Sequence, residues 1–153
     1  MKSAWLLVIA RARTLNVGMK IAGFASIFNE PDGAQDVIHY GAFRDSIIKD
    51  FPNIRMLYQH DPTRPIGRWH TMRETERGLW VEGELASDCR ASQDIAALVQ
   101  FGAIDGLSIG YRAQRSERGR GQIRRFLARI QLVEISLVTF PLHPKARLRN
   151  VAS

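Results

Sequence analysis

The segment IRRFLARIQLVEISLVTF, residues 123–140, constrains the fold more than any other stretch of this chain. It is a long strand-like run ended by Pro141, and within its second half apolar side chains occupy both faces of an extended backbone. A strand of that kind is covered on both sides. Glu134 stands in the middle of it and is expected to be largely buried. A buried carboxylate is costly unless it is paired. The partner is either one of the many arginines, as a structural ion pair, or a histidine ring that the carboxylate would hold. Residue types alone leave both open.

The rest of the chain reads as short elements. MKIAGFASIF (19–28) is β-compatible and runs into the turn-like NEPDG. GAFRDSIIKDF (41–51) predicts a short amphipathic helix built on Phe43, Ile47 and Ile48 and stopped by Pro52. NIRMLYQH (53–60) predicts a strand, followed by a DPTRP loop, and residues 66–75 and 78–86 predict a hairpin about Glu76-Arg77-Gly78. A helix is expected from Arg90 to Phe101 with Gly102 as its C-terminal stop. GLSIGYRAQ then returns to strand character, before a polar turn over 115–122. Many short strands with two helices predict a β-dominated α+β domain built as a small closed β-barrel flanked by helices.

At 153 residues, 45% apolar and 24% charged, the chain has the size and composition of one globular domain. Its 22 Lys and Arg against 15 Asp and Glu give +7, which favours acidic partners without identifying them. Cys89 stands alone, so no internal disulfide forms and a reducing compartment is the default. With four scattered histidines (His39, His60, His70, His143) it makes no zinc spacing, and no metal or other cofactor is expected. AWLLVIA (4–10) is too short to span a bilayer, and RAR follows where a secretory signal would carry its small-residue cleavage site. Residues 1–18 are expected to be a leader, disordered, helical or upstream of the native start, because Met19 directly precedes the first strand. The domain proper is expected over 19–148, with 149–153 as a C-terminal tail.

Gly106-Leu107-Ser108-Ile109-Gly110 matches the G-x-S-x-G pattern of a hydrolase nucleophile elbow. An elbow needs a strand before the serine, a helix after it, and the order Ser, acid, His. Here a helix precedes Ser108 and a strand follows, so the elbow fails on context. The formal order Ser108, Glu134, His143 ends on a histidine in a loop-like stretch between Leu142 and Pro144. Three places together carry more. MLYQHDPTRPIGRW puts His60 at a strand end, DGLSIGY puts Ser108 at a strand start between glycines that allow close backbone approach, and LVEISLVTFP holds Glu134.

In this order GFASIFNEPD, GAF (41–43), QHDPTRPIG, GLWVEGELA, GAIDGLSIGY and VEISLVTFP resemble the prohead (capsid maturation) serine protease family of tailed phages, especially its gene-transfer-agent versions. The resemblance covers roughly residues 19–148 and is specific in combination. It implies a fold similar to the herpesvirus assembly protease and a serine endopeptidase acting in the producing cell's cytoplasm, inside the immature capsid. The implied substrates are the scaffolding region of the major capsid protein and the protease itself, and the likeness admits a homodimer. Neither nucleic acid nor membrane is implied. Carried over residue by residue, Ser108 is the nucleophile and His60 the general base. The herpesvirus relatives use a second histidine as third member; here the comparable strand carries Glu134, and the phage branch uses an acid there. The HPKARLR stretch (143–149) is the expected source of one oxyanion donor.

Rivals are weaker. Asp61 diverges from His60 in an extended segment, His70 beside Trp69 reads as packed or surface, and Cys89 has no adjacent base. Ser136 shares the strand face of Glu134 but reads as a tolerated strand serine. Seven arginines from 112 to 129 against Glu117 read first as a solvated hairpin turn, and otherwise as a dock for an acidic scaffold region. Phe126 is the single aromatic residue among them, too little to support base stacking, so nucleic-acid contact is the weaker option. The alternative to an enzyme is a catalytically silent, scaffold-binding assembly module of the same fold.

Overall fold

The computed structural model describes residues 18–152; apart from Gly18, the expected leader lies outside them. The chain order is β1 (Lys20–Ile27), β2 (Asp36–Ile38), α1 (Arg44–Asp50), β3 (Arg55–Tyr58), β4 (Asp61–Glu74), β5 (Gly78–Leu85), α2 (Arg90–Phe101), β6 (Gly106–Arg118), β7 (Arg125–Val138) and β8 (Leu148–Ala152). α2 has the expected bounds. Gly102 ends it at φ +83°, and its N–H donates to the carbonyls of Leu98 and Val99, a geometry that favours a residue without Cβ. In α1, Phe43 is fully buried at the N-cap, but Ile48 points to solvent, so the apolar stripe is narrower than expected.

β7 is the spine. One edge pairs antiparallel with β6 from Gly106 opposite Val138 to Arg118 opposite Arg125. The other edge takes two parallel neighbours in turn, β2 against Arg125–Leu127 and β3 against Glu134–Leu137. From β3 the sheet continues through β4, β5 and β1 to β8. Ile130, Leu132, Ile135 and Leu137 are almost fully buried in one core with Ile21, Phe43, Met56, Ile66, Leu79, Val81 and Leu107. α1 seats on this spine: Ser46 Oγ accepts the N–H of Leu132 at 2.8 Å. α2 covers the other flank, where Ser92 donates to the Ile66 carbonyl at 2.7 Å.

The fold is the β-dominated α+β domain expected, but the expected closed barrel is an open, curled sheet: no ladder joins β6 to β8. The segment before β8 fills the gap instead. Leu107 N–H donates to the Ala146 carbonyl at 2.9 Å, Leu148 N–H to the Asp105 carbonyl at 2.8 Å, and Gly106 and Arg147 form a single bridge. Farther along, the outer half of β6 is exposed and pairs with β7 alone, so closure has no second strand to use. Leu148 and residues 149–152 of the expected tail form β8, which pairs with β1.

The arginine-rich stretch is only partly a solvated turn. Asp36, 1% exposed, receives bidentate forks from Arg124 and Arg125, with N–O distances of 2.5 to 3.1 Å, and this cluster ties β2 to β7. Arg129 pairs with Asp45 of α1. Replacing Asp36 with alanine removes a buried charge and leaves two guanidiniums to find water. A loss of about 2–3 kcal/mol is expected, read as a lower urea midpoint with an unchanged slope.

Candidate active site

β3 and β4 meet in a two-residue hairpin turn: Tyr58 pairs with Asp61, with Gln59 and His60 between them. Both central residues have positive φ, +54° and +59°, which the mirror-image hairpin turns demand and which glycine or asparagine normally supplies. For side-chain-bearing residues this costs on the order of 1 kcal/mol each. The expected DPTRP loop is absorbed into β4 as a bulge. Leu57 pairs with Pro65 and Tyr58 with Asp61, so Pro62, Thr63 and Arg64 stand out between them. Because β3 runs parallel to β7 from Glu134 to Leu137, the reversal at 59–60 folds His60 back over Ser136 and Glu134. Gln59 anchors the turn, its N–H donating to the Leu137 carbonyl at 3.0 Å and its amide to Thr139 Oγ1 at 2.7 Å.

His60 Nδ1 lies 2.5 Å from Glu134 Oε1. With Glu134 as carboxylate, Nδ1 carries the proton and Nε2 is left as the free, accepting nitrogen. This hydrogen bond holds the imidazole above its ordinary value of 6.5, against the opposing effect of burial. The other carboxylate oxygen, Oε2, accepts the Ser136 hydroxyl at 2.6 Å, and Ser136 Oγ accepts the backbone N–H of His60 at 3.0 Å. The carboxylate is buried while the ring is 44% exposed, so the ring is open to an incoming group. The partner of Glu134 is therefore the histidine and not an arginine.

Ser108 enters from β6. It stands directly opposite Ser136, and Gly110 directly opposite Glu134. Facing residues of an antiparallel pair share one side of the sheet with Cβ atoms about 5 Å apart, which sets Ser108 beside the Ser136–Glu134–His60 cluster. Ser108 is buried, and its hydroxyl makes no side-chain hydrogen bond among the described residues. The register slips after Gly110: Tyr111 faces Leu132, leaving Val133 bulged beside the carboxylate. Gly110 gives Glu134 its room. A Cβ there would lie 2.2 Å from Oε1 and 2.9 Å from Cγ and Cδ, although the backbone is ordinary strand. Gly110→Ala is therefore expected to displace the carboxylate and lower the pKa of His60 toward 6.5, as followed by NMR titration of the ring.

His143 does not meet Glu134. It is buried against β1 and lines a small cavity with Ser108, Glu30 and Tyr111. Its Nδ1 accepts the Lys145 N–H at 3.2 Å, and burial holds its pKa low. Asp61 accepts from Thr63 and takes no part. His70 lies on the surface near Glu84, and Cys89 is the N-cap residue of α2, away from these side chains. Sequence reasoning set Ser136 aside although two-residue spacing on a strand put it on the face of Glu134. It also had no signal for the clearance at Gly110, which depends on cross-strand register. Among the described residues, no group of three or more His, Cys, Asp or Glu is placed to hold a metal ion.

The sequence profile of the caudovirus prohead serine protease family matches residues 8–153. The prohead protease of Enterobacteria phage HK97 is 32% identical over 133 residues, 86% of this chain and 59% of its own length. That of Escherichia phage T5 is 31% identical over 125 residues, 80% of this chain and 58% of its own. The chain thus spans a little under three fifths of these curated relatives. Among solved structures, the bacteriophage T4 capsid assembly protease has a TM-score of 0.67 at 11% identity, over 79% of this chain and 81% of its own. KSHV protease, solved with a hexapeptide phosphonate inhibitor, has a TM-score of 0.60 at 13% identity, over 89% and 65%. At such identities the likeness to both is one of fold.

Proposed function

The chain belongs to the caudovirus prohead serine protease family, and from that premise we propose that it is a serine endopeptidase of capsid maturation with Ser108 as nucleophile, His60 as general base and Glu134 as the carboxylate that orients the base. The observation that carries the reading is the 2.5 Å bond between His60 Nδ1 and Glu134 Oε1, with Ser108 on the adjoining strand and the same face. His60 Nε2 takes the proton of Ser108 Oγ as the oxygen adds to the scissile carbonyl, and returns it to the leaving amine. Water then repeats the sequence on the acyl-enzyme. Glu134 stabilises the imidazolium formed in each half. Backbone N–H groups receive the oxyanion, with the 143–149 segment, which lies against Asp105–Leu107, as one source. The proposed substrates are the scaffolding region of the major capsid protein and the protease itself, cleaved inside the immature capsid.

A serine-reactive fluorophosphonate tests the nucleophile directly. One phosphonyl group is expected on Ser108, located by peptide mass mapping. Modification of a different serine alone, or none while peptide cleavage proceeds, overturns the assignment.

A further inference from the structure

We propose that Ser136 is a positioning residue that locks the His60–Glu134 pair in its working geometry by closing a ring of hydrogen bonds around it. This inference rests on the reading of Ser108, His60 and Glu134 given above. The ring runs from the His60 backbone N–H to Ser136 Oγ at 3.0 Å, from the Ser136 hydroxyl to Glu134 Oε2 at 2.6 Å, and from Glu134 Oε1 back to His60 Nδ1 at 2.5 Å. One hydroxyl thereby holds both partners of the pair, the backbone of one and the carboxylate of the other. Ser136 is fully buried, so its hydroxyl has no solvent to turn to in place of these partners.

Two features make that tether necessary. The first is the turn. His60 sits at φ +59° next to Gln59 at φ +54°, a conformation that neither side chain prefers, and strain of this kind persists only where the surroundings fix it. The His60 N–H is one of the groups that fix it. The second is the carboxylate. With only Oε1 engaged, Glu134 would be free to rotate about its terminal torsion, which is broad for a carboxylate. The Ser136 hydroxyl on Oε2 removes that freedom and aims Oε1 at the ring. Glu134 is the charged group that faces the imidazole, because Asp61 is turned onto Thr63. Ser136 thus acts on Ser108 only through the base.

Ser136 is not a second nucleophile. Its oxygen accepts the His60 backbone N–H and donates its proton to the carboxylate, while the nitrogen able to take a proton from a nucleophile, Nε2, lies on the opposite side of the ring from Nδ1.

The test uses Ser136→Ala in the full chain with two readouts. The first is the rate of Ser108 phosphonylation by the fluorophosphonate, expected to fall roughly 10- to 100-fold as the base loses its aim. In a Glu134→Gln background the same change is expected to cost less than about twofold, because the residue acts through that carboxylate. The second is the His60 ring pKa by NMR in Ser108→Ala protein, which needs no catalysis. It is expected to fall toward 6.5 when Ser136 is also replaced. An unchanged rate with an unchanged ring pKa overturns the inference, as does a rate loss that adds in full to that of Glu134→Gln. If Ser136→Ala does not fold, Ser136→Cys, similar in shape with a weak S–H donor, is read by the same criteria. If wild-type protein is not labelled at Ser108, the reading of the active site fails, and the ring pKa still decides whether Ser136 positions His60.

Discussion

Ser108→Ala is expected to lower peptide-bond cleavage by roughly 10⁴-fold or more, because nucleophile and base act as a unit and the loss of either removes nearly the whole advantage of the pair. Co-expressed with the capsid protein, the variant is expected to leave both proteins at full length by intact mass, while wild type yields processed forms of each. The fold is expected to survive. Ser108 lies between Leu107 and Ile109 in the β6–β7 ladder, its hydroxyl holds no other side chain among the described residues, and alanine keeps the Cβ. Its stability should therefore stay within about 1 kcal/mol of wild type, because removing a buried hydroxyl that holds no side chain leaves no partner unpaired. Normal processing by a folded Ser108→Ala protein would sink the assignment and favour a binding role for the domain. His60→Ala is expected to match it, and the double variant to be no worse than either.

The long elements were legible because each carries a period and a stop. Arg90–Phe101 has a glycine waiting where the helix must turn left-handed, and the run through Val138 ends in a proline. What escaped was set by pairing partners far apart in sequence. β2 is three residues long and exists because its edge finds Arg125–Leu127 of β7; nothing local in Asp36–Ile38 announces it. β8 forms on the edge of β1, so its residues read as a tail until β1 is in place. Closure of the barrel failed for the same reason. Whether the two ends of a sheet join depends on what lies between them, and here Ala146 and Leu148 take hydrogen bonds that a closing strand would have used.

At the candidate site, the need of Glu134 for a partner was readable from cost alone. A carboxylate in a strand buried on both faces needs a partner, and the choice between arginine and histidine required the β3–β7 register that carries His60 over Glu134. The arginines were drawn elsewhere, two of them to Asp36, which is buried even more deeply than Glu134. Ser136 read as a tolerated serine because a serine in a strand is usually inert, and its bonds to His60 and Glu134 come only with the fold. The His60 N–H reaches Ser136 through a turn with two positive-φ residues, and Gln-His carries no sequence signal for such a turn.

Glu134→Gln is expected to lower the plateau of kcat/KM by about 10³- to 10⁴-fold and to move its acidic limb to lower pH. The two effects have separate causes. The amide presents an N–H as readily as a carbonyl to Nδ1, so the proton can settle on Nε2, the nitrogen proposed as base, and the plateau falls. The carboxylate hydrogen bond that holds the His60 pKa above 6.5 is gone, and the negative charge with it, so the ring stays neutral to lower pH and the limb shifts down. Stability follows the opposite course. A group whose pKa is raised by folding stabilises the protein fully below its unfolded value and loses that contribution as pH rises through its folded value. The variant is therefore expected to melt below wild type by the largest margin under pH 6.5, with the margin shrinking as pH rises through the His60 pKa, while the activity deficit is largest above it. Thermal melts and initial rates over one pH series separate the two curves. A deficit in activity that tracked the deficit in stability at every pH would reduce Glu134 to a structural ion pair and leave His60 without its orienting carboxylate.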